Sequence, residues 1–155
     1  MFSSRQRLLL LIAVLCFAAV GLALVSQHVF DMPPCAWCVL QRLIYLAIGV
    51  VALAGAFAGA IARVCAALGA LLGVGGIAAA WYQYDVAAQM FSCSQTFADR
   101  FMSGSGLDGA VPWLFGIYAS CMDASVDLLG VEYVLWSLAL FVVLVIAALR
   151  ALLRR

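Results

Sequence analysis

The sequence has no lysine and a single histidine, and charged residues make up only 10 % of its 155 positions. Soluble domains carry about a quarter charged residues. With 68 % hydrophobic residues and a mean hydropathy of +1.19, the chain reads as an integral membrane protein. Its formal net charge of +1 gives no basis for a nucleic-acid partner. No stretch resembles a soluble domain large enough to bury its own core. The signatures of common cofactors are missing too: there is no Gly-x-Gly-x-x-Gly and no histidine pair for haem. A lone Cys-x-x-Cys is present without a second one, and His28 adds one further ligand at most, so a zinc site is not supplied.

What is present is apolar sequence in four runs. They cover about 8–25, 39–60, 64–82 and 131–149, each near the length a helix needs to cross a bilayer. The first run is read as an uncleaved span, because no small-x-small cleavage site follows it. The expected fold is therefore an all-α membrane protein. One domain, 1–155, forms a four-transmembrane-helix bundle with outer loops at 26–38 and 83–130. Within the long second loop, Val111 to Tyr118 is apolar and aromatic but too short to span, so it is expected to lie on the membrane surface. Gly55-x-x-x-Gly59 and Gly69-x-x-x-Gly73 offer small patches where helix backbones approach.

Charge gives the orientation. Arg5, Arg7, Arg63, Arg150, Arg154 and Arg155 fall on one side of the spans. The other side has Arg100, with Arg42 at the membrane mouth, and all the acids. By the positive-inside rule both termini are expected in the cytoplasm, and both cysteine-bearing loops outside.

The chain is organised around Pro33-Pro34-Cys35-Ala36-Trp37-Cys38-Val39-Leu40-Gln41-Arg42. The prolines favour extended backbone just ahead of a helix. Cys38 is thus expected near a helix N-terminus, with Arg42 one turn further on the same face. The helix dipole and the guanidinium both favour a thiolate. Cys93 and Cys121 are the other two outer cysteines, while Cys16 and Cys65 lie in spans and read as small apolar residues. Four outer cysteines allow three connectivities. Cys35–Cys38 with Cys93–Cys121 is the simplest. A bond between Cys35 and Cys38 closes almost no loop, so it is expected to be reactive rather than bracing. Two pairs on one face suggest an electron relay. With no haem, nucleotide or metal motif to receive the electrons, a lipid-soluble quinone near Cys38 and Arg42 is the acceptor that remains. Gln27 and His28 read as polar filling at the end of the first span, and Trp37 as an interface aromatic. Glu132 suits a helix N-terminus and is a possible partner for Arg42.

The whole chain resembles the disulfide bond formation protein B (DsbB) family of bacterial inner-membrane thiol–quinone oxidoreductases. The resemblance rests on Cys35-x-x-Cys38-x-x-x-Arg42, on the Cys93 and Cys121 pair, and on Asp127-Leu128-Leu129-Gly130-Val131-Glu132 leading into the last run. It implies a multi-pass protein of the bacterial inner membrane with four redox cysteines. A periplasmic DsbA-like thiol oxidase would form a mixed disulfide with Cys93. Electrons would pass through Cys121 to Cys35–Cys38 and on to ubiquinone, or menaquinone, held with the help of Arg42. Two alternatives are a quinone reductase resembling the vitamin K epoxide reductase family and a membrane protein whose loop disulfides are only structural.

Overall fold

Four long apolar helices account for most of the chain in the computed structural model, which describes residues 3–90 and 96–154. They are α1 (Ser4–Val29), α2 (Ala36–Phe57), α3 (Ala62–Asp85) and, after a helical second loop, α7 (Tyr133–Leu153). All four are long and apolar enough to cross a membrane, and the protein is a multi-pass membrane protein. Most helix ends run beyond the apolar runs, and at the starts of α1 and α2 a side-chain cap, Ser3 and Cys35, fixes the end. Ser3 and Gln6 form a capping box at the start of α1, with Ser3 Oγ accepting from Gln6 N–H and Gln6 Oε1 accepting from Ser3 N–H at 2.8 Å.

Packing follows side-chain size. The buried positions of α3 are almost all alanine, glycine or cysteine, so its backbone comes close to both α2 and α7. Gly76 sits against the ring of Phe141, where an added Cβ would lie 2.3 Å from the nearest ring carbon. Gly73 meets Val145 and Gly55 meets Cys65 in the same way, whereas Gly69 faces open space. The close approach therefore uses Gly73 and Gly76, three residues apart, rather than the Gly69–Gly73 pair read from the sequence. Gly76→Ala is expected to destabilise the bundle by about 1–3 kcal/mol through overpacking. Unfolding in a detergent titration measures this, and an unchanged midpoint would show that α7 simply shifts. Cys16 and Cys65 are buried free cysteines, consistent with roles as small apolar residues.

Both chain ends lie at one end of the bundle. The Arg5 side chain donates to the carbonyls of Ala151 and Arg154, and Gln6 Nε2 donates to Ala56 O at 2.9 Å. The opposite end carries the Cys-x-x-Cys and the second loop. From residue 96 on, that loop is more helical than its Gly- and Ser-rich composition suggests. Thr96 caps α4 (Phe97–Ser105) through Oγ1, and Gly106, at φ 72°, ends it. Ala98 and Met102 are buried beneath α4. Two single turns follow, α5 (Leu107–Ala110) and α6 (Pro112–Phe115). In the aromatic segment Phe115 is buried while Trp113 and Tyr118 are exposed, the division a surface-lying piece requires. A short antiparallel hairpin, β1 (Asp127–Leu128) and β2 (Val131–Glu132), then turns through Leu129 and Gly130, both at positive φ, directly into α7.

Candidate functional site

The site is built on the first turn of α2. Cys35 is the N-cap, and its sulfur accepts a hydrogen bond from Cys38 N–H at 3.4 Å. The two sulfurs lie 3.0 Å apart as free thiols, within reach of each other. Cys35 is fully buried, whereas Cys38 is half-buried. The hydrogen bond to Cys38 and the surrounding burial push the Cys35 thiol well above its ordinary pKa, so it keeps its proton at neutral pH. Cys38 is the sulfur left free to react.

One turn below, Arg42 is only 5 % exposed. It donates to Gln27 Oε1 at 2.6 Å, to Leu114 O at 3.1 Å and to Ala23 O at 3.3 Å. Every acceptor is neutral. Glu132 is not among them; it sits on β2 opposite Asp127 and leads into α7. The partner suggested for Arg42 from the sequence is thus not the one the fold provides, because the guanidinium turns towards α1 and α6. Among the described residues no carboxylate pairs with the guanidinium, which favours negative charge nearby.

Arg42 and Cys38 open onto one cavity of about 350 Å³. Its walls are mainly apolar and come from α1 (Ala19, Leu22, Ala23), the Pro33–Pro34 segment, and α7 (Val134, Trp136, Leu140). A cavity of this size has room for a small organic molecule. The residues fit a quinone head group, with Cys38, Arg42, Gln41, Gln83, Tyr45 and Ser137 as polar points among mainly apolar walls. Among the described residues no cluster of three or more His, Cys, Asp or Glu side chains could hold a metal ion.

Cys121 is buried in the same cluster as Cys35 and is disulfide-bonded. It shares with Cys38 a second, small cavity of about 20 Å³, room for roughly one water. The amides of Tyr118 and Ala119 donate to Pro34 O at 3.0 and 3.3 Å, which lays the Cys121 segment over the Cys-x-x-Cys. The structure thus brings Cys35, Cys38, Arg42 and Cys121 together. Cys93, the fourth cysteine singled out, lies outside the described residues.

Other residues take roles the sequence did not suggest. Trp37 is buried, not interfacial, and packs on Tyr82 with ring centroids 4.7 Å apart. Gln27 holds Arg42, and His28 Nε2 lies 3.1 Å from Trp113 O, tying α1 to the second loop. Gln83 donates to Cys38 Sγ at 3.2 Å. A glutamine near the end of an otherwise apolar run was the available signal for it, since such a group needs a buried partner.

Comparison with known proteins agrees with this arrangement. The family model described as Disulfide bond formation protein DsbB matches residues 5–151. The chain is 34 % identical to Disulfide bond formation protein B of Ralstonia nicotianae, over 100 % of this chain and 98 % of that one. It is 32 % identical to the protein of the same name from Cupriavidus metallidurans, over 100 % and 97 %. It is 33 % identical to Disulfide bond formation protein B 1 of Pseudomonas savastanoi pv. phaseolicola, over 89 % and 83 %. With a four-helix membrane bundle, a Cys-x-x-Cys at the head of the second helix and a family match over nearly its whole length, the chain belongs to the DsbB family of disulfide bond formation proteins.

Proposed function

We propose that the protein is a thiol:quinone oxidoreductase of the bacterial inner membrane. In this reading it oxidises a periplasmic DsbA-like dithiol oxidase and passes the electrons to membrane ubiquinone or menaquinone. Both termini are cytoplasmic, and the cysteine-bearing end faces the periplasm. The arginine distribution supports this orientation. The observation that carries the function is the shared cavity: a half-buried sulfur and a guanidinium without a carboxylate partner among the described residues meet in one mainly apolar slot between α1 and α7.

The chain's own groups have separable parts in this function. Cys38 presents its sulfur to the cavity, and Cys35, protonated and 3.0 Å away, is placed to close the disulfide with it. Closing that bond from the Cys38 thiolate and the Cys35 thiol releases two electrons and the Cys35 proton, the Cys38 proton having left when the thiolate formed. A bound quinone would accept the two electrons and two protons in all. Arg42 holds the negative charge that Cys38 carries before the bond closes, and its hydrogen bonds to α1 and α6 keep it there. Cys121 lies where electrons enter from the loop, beside the small cavity it shares with Cys38. Cys93 is the proposed point of contact with the partner oxidase.

Mixing purified protein in detergent with a reduced periplasmic thiol oxidase and a soluble ubiquinone analogue tests the proposal. Quinone absorbance is expected to fall, and to stop falling in Cys93→Ser. Quinone binding without reduction by any thiol donor would point to another electron source. No binding at all would return the outer cysteines to loop bracing.

A further inference from the structure

Four polar side chains run from the interior of the bundle to Cys38, and the proposed reaction uses none of them. Tyr45 OH lies 2.9 Å from Ser137 Oγ. Ser137 Oγ donates to Gln41 Oε1 at 2.6 Å, Gln41 Nε2 donates to Gln83 Oε1 at 2.7 Å, and Gln83 Nε2 reaches Cys38 Sγ at 3.2 Å. The links join α2, α7, α2 again and α3 before returning to the head of α2. Tyr45, Gln41 and Gln83 are 5 %, 5 % and 7 % exposed. Burying two carboxamides, a phenol and a hydroxyl between apolar helices is unfavourable unless each is satisfied.

The chain has a direction. Ser137 has one proton, and it goes to the carbonyl oxygen of Gln41, which has none to give. Tyr45 has one proton for two acceptors on Ser137, the backbone carbonyl at 3.0 Å and Oγ at 2.9 Å, so the directed part of the chain begins at Ser137 Oγ. Gln41 then donates to Gln83 Oε1, which leaves the Gln83 N–H aimed at the sulfur. From Ser137 onwards every link points the same way, and the last donor ends on Cys38. Such a donor stabilises a thiolate and does not stabilise a thiol. Turning both amides over would present an oxygen to the sulfur and favour the thiol instead. Arg42, on the same cavity, favours the charged form and so favours the observed direction.

We propose that Gln83 is a positioning residue for the Cys38 thiolate, with Ser137 and Gln41 holding its amide in the donating direction. The other ionisable groups near Cys38 are Cys35 at the cap and Arg42 one turn along its own helix, with Glu132 and Tyr133 at the start of α7. None of them is a link in the chain, so its effect is separable from theirs.

The test needs no quinone, so its outcome is independent of the acceptor named above. The full-length protein is reduced in quinone-free detergent and treated with iodoacetamide across a range of pH. Modification of Cys38 is then followed by peptide fragmentation in the mass spectrometer. In Gln83→Met the pH midpoint for alkylation is expected to rise by about one unit, a tenfold smaller thiolate fraction below the midpoint. Ser137→Ala, which does not touch the sulfur, is expected to move it the same way by less. Ser137→Thr keeps the hydroxyl and is expected to restore the midpoint. A residue with only a packing role would leave the midpoint in place. An unchanged or lowered midpoint in Gln83→Met overturns the proposal. If that variant does not fold, a Ser137→Ala midpoint equal to that of the parent and of Ser137→Thr overturns it instead.

Discussion

Replacing Cys38 with serine is expected to reduce quinone turnover to the uncatalysed rate while the bundle stays folded. The substitution changes one atom at a half-buried position. The helix cap is the sulfur of Cys35, not of Cys38, so α2 still begins where it does. The backbone N–H of residue 38 still donates to that cap. Gln83 and the Cys35 thiol lose a sulfur partner, and a hydroxyl offers another. Stability should therefore change by no more than about 1 kcal/mol, which thermal unfolding in detergent reads directly. The chemistry, by contrast, has no substitute. A serine hydroxyl is not ionised at neutral pH and forms no disulfide, so the dithiol that releases electrons no longer exists. Turnover that survives the change would remove Cys38 from the path. A variant that cannot fold would instead favour a bracing role for the pair.

Arg42→Met is the second large effect, and here function and stability are expected to part company. Arg42 is buried with three neutral acceptors and, among the described residues, no carboxylate partner. Removing it leaves no opposite charge stranded, unlike the breaking of a buried ion pair. Burying a guanidinium in such surroundings is itself costly, and methionine fills much the same space. Unfolding resistance is therefore expected to fall by no more than about 1 kcal/mol. The quinone KM is expected to rise by about tenfold or more, because the cavity loses a charge-assisted donor worth about 1.5–3 kcal/mol. Arg42→Lys should recover only part of this, since a single ammonium cannot serve Gln27, Leu114 and Ala23 at once. Hydrogen exchange across 112–115 is expected to quicken in both variants, as the tie from Leu114 O to α2 is lost. A collapse in stability with an unchanged KM would make Arg42 an anchor of the second loop and nothing more.

Much of this site was legible because its signals are local. Cys35, Cys38 and Arg42 lie within eight residues, and the geometry of one helix fixes how they stand to each other. The four spans were legible because each depends only on the apolar content of its own stretch. Their ends were less so: α1 begins at Ser4 and α2 at Ala36, because capping depends on single side chains at the boundary. The helix α4 was read as loop, since its glycines and serines masked a short helix held by Thr96 and Gly106.

What the amino-acid sequence determined by itself was the membrane bundle, the cysteine pair at the head of its second helix and the arginine one turn below. Each of these follows from hydropathy or from spacing within one helix. Tertiary structure alone decided who meets whom between helices. Trp37 turned inward onto Tyr82, Arg42 found Gln27 and Leu114 rather than Glu132, and Gln83 reached Cys38 from α3. Helix periodicity says which face a residue occupies, but not which neighbour that face will meet. In this protein the small residues of α3 settled that question. They let the helices come close enough for short polar side chains to bridge them.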